Sequence, residues 1–583
     1  MKKILFSLLI LCLCHIGFAA IPVIEPELQD EMSRCDKGEK IKVCIYLSEQ
    51  SEAKELIRKA MPFSTQQERR QFVIETLKRH TEASQYELLG LLNEMERHGM
   101  VADIKPLWMV NAVTCHATSV AIHDLAQRHD ILSIGFCKQE QWIAEHDAEP
   151  TSSGDGREIA QNLLQVNAPQ VWAQGYTGHG VLVAIIDTGI NYEHADLAGR
   201  LWDGGTEYPH HGYDFSSNDN DPMDHHGHGT HVAGTVCGIG ASGTQTGIAP
   251  SATVMALKAF NDQGEGDETQ WIAAMQFALE HGADVINMSL GRPQPNTTQK
   301  RMIRQACDNT LAAGVMASVC AGNIRQMQFM VPPPYNSYTP GDCPPPYLHE
   351  DQLVNAGGKS CVICVGAVDY NDNIAAFSSE GPSQWTDVSE YGDYPYTEGS
   401  ATEIGLIRPD ICAPGVQIKS LDCNNPQGYT LMDGTSMATP LVTGTIALML
   451  SKNKELTPAQ IDQILETTAV ETQNIASLRS NHKNNDFGAG RLDALAAVNI
   501  VDYDAVSEVQ QQQVLIYPNP SPDDFTVVCE GMRQIEVFSV DGRLVKEIKT
   551  KGSQCLIEGL DNGVYFVRVV LEKGVMTNRI VKH

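Results

Sequence analysis

Between about residues 157 and 500 the chain repeats one pattern, in which short uninterrupted apolar runs are separated by longer helix-like stretches. The runs fall at 181–186, 254–257, 285–288, 314–319 and 362–365. Runs that do not alternate apolar with polar residues suit strands buried on both faces, as in a parallel sheet covered by helices. The central region is thereby constrained to an α/β fold. Ligands of such sheets bind beyond the carboxyl ends of the strands, and Asp187 and Asn323 both stand just past such ends.

Four motifs occupy this region: Asp187-Thr188-Gly189, His228-Gly229-Thr230-His231, Ala321-Gly322-Asn323 and Gly434-Thr435-Ser436-Met437-Ala438-Thr439-Pro440. They supply an acid, a base, an amide donor and a hydroxyl, the parts needed for acyl transfer through a tetrahedral intermediate. A carboxylate at Asp187 can accept a bond from an imidazole and fix its tautomer. An alanine-rich apolar stretch follows Ser436, which predicts a helix starting there, with its positive end beside a developing oxyanion. Pro440 reads as a residue of the first helical turn, where a missing amide costs little. The context is not the Gly-x-Ser-x-Gly elbow of lipases and esterases. Neighbouring His210, His211, His225 and His226 lack the helical pattern of a zinc peptidase.

The order Asp, His, Ser with these flanking residues resembles the subtilisin-like serine peptidases. The likeness covers about residues 160–500 and extends to Val365-Gly366-Ala367-Val368, Arg408-Pro409-Asp410, Ala413-Pro414-Gly415 and Gly488-Ala489-Gly490. It implies a secreted endopeptidase acting on proteins or peptides with no organic cofactor. His228, oriented by Asp187, would take the proton of Ser436, and Asn323 would stabilise the oxyanion. His231 would be a structural helix residue. Ser289, Leu290 and Gly291 would line the specificity pocket and pair with an extended peptide. Some members of the family bind structural calcium ahead of the catalytic histidine, which makes Asp214, Asp219 and Asp221, with Asp224 beside them, candidate metal ligands. Solvated turn carboxylates are the competing reading. The departure from the family lies between Asn323 and Cys361, where proline-rich loop signals at 331–334 and 342–346 stand beside the expected pocket. A Cys343–Cys361 bridge would stiffen that insertion. A surface binding scaffold without chemistry is the reading of a different class; four intact functional groups are more than it requires.

The flanking regions differ in texture. Residues 1–20 carry Lys2 and Lys3, an apolar run too short to span a bilayer, and small residues near Ala19, as a signal peptide does. Residues 21–150 read as a small α+β domain. It has a strand at 42–46, a capping box at Ser64–Gln67 opening a helix to about Arg97, an alternating stretch at 107–113, a helix near 120–128 and a strand at 131–136. Its position resembles the inhibitory propeptide of the same family, which implies an autoinhibited zymogen. The polar segment 145–156 suits a processing linker. Residues 515–583 read as a small β-sandwich. They hold Tyr517-Pro518-Asn519-Pro520, a hairpin turn at Asp541-Gly542, an alternating strand at 564–570 and a final turn at Gly574. This tail resembles the C-terminal sorting domain of type IX secretion in Bacteroidetes. That resemblance implies the secretion machinery as a partner, and export through the periplasm to the outer surface of a Gram-negative cell or beyond it.

The balance of 42 basic against 72 acidic residues, a formal charge of −30, excludes a nucleic-acid footprint and suits an extracellular surface. Cysteines that fall in apolar runs, Cys237, Cys320, Cys364 and Cys412, read as buried thiols even though export permits disulfides.

Overall fold

The computed structural model describes residues 23–583 except 37, 61, 64, 144–148, 152–157, 346–359, 389–391, 393, 401–402, 472–482, 502–514, 518–523, 529–531, 540–542, 551, 572–573 and 583. The expected signal segment, most of the expected linker, residues 518–520 and the Asp541-Gly542 turn lie outside the described residues. The chain divides into one unit ending at Val501 and a second beginning at Asp502.

The first unit begins with α1 (Pro26–Arg34), β1 (Lys40–Leu47), α2 (Ala53–Ala60), α3 (Gln66–Arg97), β2 (Val101–Leu107), β3 (Ala112–Thr118), α4 (Ser119–Leu125) and β4 (Ile131–Phe136). The strands form an antiparallel sheet in the order β2-β3-β1-β4, with a core of Leu28, Val43, Ile45, Leu88, Val113 and Ile122 among others. The long helix opens one residue later than the sequence suggests: Thr65 is the N-cap and its box partner is Glu68. The stretch 107–113 is not one strand: it runs from the end of β2 at Leu107 through a bend at 108–111 into β3 at Ala112. Asn111 sits there at φ +39°, and its side chain donates to Glu49 O while accepting from Ser84 and Gln85. An asparagine held in the left-handed region reverses the chain, while the buried Met109 and Val110 make the bend look like a strand in sequence.

Short strands β5 (Glu140–Gln141), β6 (Glu149–Thr151) and β7 (Glu158–Ile159) lead into the α/β region. It continues with α5 (Gln161–Gln165), α6 (Ala168–Ala173), β8 (Leu182–Asp187), β9 (Gly212–Asp214), α7 (His228–Cys237), β10 (Thr244–Gln245), β11 (Thr253–Lys258), β12 (Glu265–Gly266), α8 (Glu268–Glu280) and β13 (Val285–Met288). Then follow α9 (Thr297–Ala312), β14 (Met316–Cys320), β15 (Val362–Val368), β16 (Ile411–Pro414), β17 (Ile418–Leu421), β18 (Tyr429–Met432), α10 (Thr435–Lys452), α11 (Pro458–Thr468) and α12 (Ala494–Ile500). Seven strands make a parallel sheet in the order β16-β15-β14-β13-β8-β11-β9.

Alternation within each strand divides the apolar residues between the two sides of this sheet. Val183 and Ile185 of β8 join a core with α7, α10, α11 and α12. Ala184 and Ile186 of the same strand join a second core with α8 and α9, to which the N-terminal domain adds Cys44, Leu56 and Leu77. Both faces are thus covered, which is why the sequence shows unbroken apolar runs. No helix among the described residues is long and apolar enough to cross a membrane.

The second unit holds two antiparallel sheets. One is β19 (Leu515–Tyr517), β20 (Phe525–Val528) and β23 (Gln554–Ile557); the other is β22 (Leu544–Lys549), β21 (Met532–Ser539), β24 (Gly563–Leu571) and β25 (Gly574–Lys582). Phe525, Val527 and Ile557 from the first meet Ile535, Val537, Val567 and Val569 from the second in one core. The result is the expected sandwich, with Gly574 opening the last strand rather than lying in the turn before it.

Candidate active site

The functional side chains sit where four elements end together on one edge of the parallel sheet. Asp187 is the last residue of β8 and is completely buried. His228 opens α7 behind Gly227, which holds φ +103°, a conformation that favours glycine. His228 Nδ1 donates to Asp187 Oδ1 at 2.7 Å, with both groups removed from solvent. Asp187 Oδ1 also accepts from the Thr188 amide, so the carboxylate cannot rotate without losing two bonds. Charge-assisted bonds of this kind are stronger than neutral ones, and burial protects them from screening.

Asp224 joins β8 to α7. Its Oδ1 accepts from Thr188 Oγ1 at 3.0 Å and from the His226 and Gly227 amides, and its Oδ2 accepts from the Thr230 amide and hydroxyl. Thr188 Oγ1 in turn accepts from the Gly229 amide. The otherwise orphaned amides at the start of α7 are satisfied in this way. His231, one turn along, is buried, and its Nε2 donates to Ile418 O at 2.9 Å. Burial pushes its imidazole down to about 3, which keeps it neutral and makes it a structural member of the helix.

Ser436 is the second residue of α10 and is buried to 3% exposure. Its hydroxyl donates to Ser289 O at 3.3 Å, and Ser289 Oγ donates back to Ser436 O at 2.8 Å. That second bond has a sequence origin that corrects the first-turn reading of Pro440. Pro440 lies inside the helix, four residues after Ser436, and has no amide to give to the Ser436 carbonyl. The carbonyl is left for Ser289, which ties the start of α10 to the end of β13.

Asn323 stands three residues beyond β14. Its Oδ1 accepts from the Thr435 amide at 3.0 Å and from Thr435 Oγ1 at 2.9 Å. An amide hydrogen can be received only by the oxygen, so these bonds fix which way the carboxamide faces. The Nδ2 donor has no partner among the described residues and is left available beside Ser436.

Ser289, Leu290 and Gly291 continue the chain directly beyond β13. A segment of the N-terminal domain lies beside them: the Gly291 amide donates to Trp142 O at 3.1 Å. On its other side β5 pairs with β12, and the Trp142 and Ile143 amides both approach Gly264 O at 3.2 Å. The Trp142 ring is 2% exposed and packs edge-on against Trp271 at 5.7 Å and stacked on Phe260 at 6.4 Å, while Arg292 pairs with Glu140. Residues 140–143 thus lie between Gly264 and Gly291, with the Trp142 ring buried beneath them.

Of the three predicted metal ligands, Asp214 and Asp219 face each other across a two-bond backbone bridge. Asp214 accepts from the Ser216 amide and hydroxyl and the Ser217 amide, Asp219 from the Asp221 amide, and Asp221 from the Tyr192 hydroxyl. No group of three or more His, Cys, Asp or Glu side chains among the described residues is arranged to hold a metal ion. One oxygen of each is engaged locally, by turn groups at Asp214 and Asp219 and by the Tyr192 hydroxyl at Asp221. Cys343 and Cys361 are likewise free thiols, buried beside Cys307. Sequence reasoning missed the anchoring of Asn323 by Thr435, the joining role of Asp224 and the docking of residues 140–143. Only Thr435, adjacent to Ser436, carried any local signal.

Comparison with known proteins places most of the chain in two families. The Subtilase family matches residues 178–490, and the Secretion system C-terminal sorting domain matches residues 515–583. Subtilisin DY of Bacillus licheniformis is 34% identical over 315 residues, covering 53% of this chain and 91% of that protein. Subtilisin E of Bacillus subtilis (strain 168) is 32% identical over 361 residues, 62% of this chain and 76% of that protein. Bacillopeptidase F of Bacillus subtilis (strain 168) is 28% identical over 471 residues, 76% of this chain but only 30% of that much longer protein.

Proposed function

The chain belongs to the subtilase family, is a serine endopeptidase and carries a sorting domain for type IX export to the cell surface or medium; from that premise we propose how its own residues act. Ser436 attacks a peptide carbonyl, and His228, held in one tautomer by Asp187, takes the serine proton. His228 then returns it to the leaving amine, and water hydrolyses the acyl-enzyme. The oxyanion receives bonds from Asn323 Nδ2 and the Ser436 amide at the positive end of α10. The observation that carries this reading is the carboxamide of Asn323. Its oxygen is consumed by Thr435 and its donor is left free next to the serine, an arrangement that a binding scaffold does not need.

The chain is made as an inactive precursor. Residues 23–143 form the inhibitory domain, and its last strand fills the peptide channel between Gly264 and Gly291. Main-chain pairing on both sides with one buried aromatic anchor is how an extended peptide gains affinity. The route to the surface runs through the periplasm, with the tail recognised by the secretion machinery.

The test compares the purified full chain with its Ser436→Ala variant for casein hydrolysis and for loss of the N-terminal domain. Wild type is expected to do both and the variant neither. A folded variant that still digests casein would remove Ser436 from the mechanism.

A further inference from the structure

We propose that Tyr338 closes the pocket for the side chain preceding the scissile bond, so that the enzyme cleaves after small residues such as alanine, glycine and serine. The inference rests on the reading of Ser436 as nucleophile and adds the substrate class to it.

The pocket's walls follow from the geometry already described. Strands β13 and β14 are neighbours, and beyond their ends run Ser289-Leu290-Gly291 and Ala321-Gly322-Asn323. Ser436 Oγ rests on Ser289 O, and Asn323 faces it from the other wall. A carbonyl held between Ser436 and Asn323 must send its side chain into the gap between these two segments. The bond from the Gly291 amide to Trp142 O sets the register of a bound peptide, and the pairing of Arg292 with Glu140, one residue on and two residues back, sets the two segments running in opposite directions. The residue two places nearer the cut then lies opposite Ser289, over the same gap.

Tyr338 fills that gap. A Cβ placed on Gly291 would stand 2.9 Å from Tyr338 Cβ, and one placed on Gly322 would stand 2.6 Å from its Cδ1 and 2.7 Å from its Cγ. The side chain therefore lies against the bare backbone of both walls, and the two glycines admit it. Its backbone is fixed to the same walls: the Tyr338 amide donates to Ala321 O at 2.8 Å, and Thr339 and Arg292 exchange both main-chain bonds at 3.0 and 3.2 Å. Buried Arg408 holds the following loop through Gly341 O at 2.9 Å and Cys343 O at 3.0 Å. Burial also pushes the Tyr338 phenol up to about 12. The insertion that separates this chain from the family pattern is thus built into the pocket. In sequence the residue two beyond Trp142 is Ala144, which lies outside the described residues and is itself small.

Each methylene that a pocket accepts or refuses changes kcat/KM by roughly 10–200-fold. Peptides identical except for Ala, Leu, Phe or Lys before the cut should separate the possibilities. With the matured wild-type enzyme, kcat/KM for alanine is expected to exceed that for phenylalanine by about 10²-fold or more. In Tyr338→Gly the phenylalanine-to-alanine ratio should rise by at least about 10-fold. Cut sites mapped by mass spectrometry in casein digested by wild type give the same answer without relying on the variant's folding. Preferred cleavage after Phe or Leu, or an unaltered ratio in Tyr338→Gly, overturns the proposal while leaving the peptidase reading intact. Failure of an organophosphorus probe to label Ser436 in matured enzyme that cuts no peptide would overturn the peptidase reading and this proposal with it.

Discussion

A single carboxamide shows how residue-level bonding prepares the chemistry. Asn323 loses its acceptor to the Thr435 amide and hydroxyl at 3.0 and 2.9 Å, so in the proposed mechanism its donor needs no reorganisation when charge develops on a substrate oxygen. Removing one such donor from a subtilisin lowers turnover by about 10²–10³-fold. Asn323→Ala is expected to reduce kcat by a similar factor with KM little changed, because the bond forms fully only in the transition state. Steady-state kinetics on a peptide amide decide it. A rise in KM at constant kcat would mean that Asn323 only binds substrate.

At the level of elements, α7 and α10 are tied to strand ends by contacts that allow no slack. A Cβ on Gly229 would stand 2.1 Å from Gly189 O, so α7 meets the β8 turn through bare backbone. Replacing a helical glycine by alanine ordinarily favours the helix by up to about 1 kcal/mol. Here the clash exceeds that gain, since overpacking a buried contact costs about 1–3 kcal/mol. Gly229→Ala is expected to lower the Tm by several degrees and to reduce activity by displacing His228. A thermal melt checks the sign; a raised Tm would mean that the helix term wins and α7 has room to move. The helices themselves were legible, because Gly227 before α7 and the alanine-rich run after Ser436 are local signals. The position of Pro440 within α10 was not, because the acceptor it leaves unused is taken by Ser289, far away in sequence.

For the first unit as a whole, the N-terminal domain and the parallel sheet share buried charge. Lys42 of β1 reaches Asp267, the N-cap of α8, at 2.5 Å, and Gln139 donates to the same carboxylate. Beside them Glu268 is buried and accepts from Gln299 at 2.9 Å. Burial, and after it the charge of Asp267, push its carboxyl up to about 8. A carboxyl raised above its ordinary value near 4.5 holds a proton in the native state that the unfolded chain releases. Its contribution is complete below about 4.5 and disappears as pH rises through about 8. His231, lowered to about 3, has the opposite sign, its contribution disappearing as pH falls from about 6.5. The window from pH 6.5 to 8 therefore leaves out His231 and holds Glu268 together with Glu466, whose carboxyl burial also pushes up to about 8. Urea midpoints of full-length Ser436→Ala, which avoids self-digestion, should fall across that window. Adding Glu268→Gln should flatten the fall by an amount on the order of a few kcal/mol at most. An equal fall in both proteins would mean that Glu268 is ionised throughout.

The sequence by itself determined the class of the central sheet, because strands buried on both faces leave no polar alternation to read, and it named the four chemical groups, because each sits in a local turn or helix start with its own signature. The sandwich of the tail was equally plain from its turns and alternating strands. Other features were decided only in three dimensions. The bend at Asn111 is held by side chains from α3, so its apolar spacing looked like a strand. The acidic loop before His228 looked like a cation site, but its described side chains form no group of three, and Asp224 spends both oxygens on the turn and the start of α7. The pocket's shape depends on Tyr338 meeting Gly291 and Gly322. Local pattern fixes which way a residue faces along its own strand or helix, whereas what it meets there depends on packing between segments that carry no trace of one another in sequence.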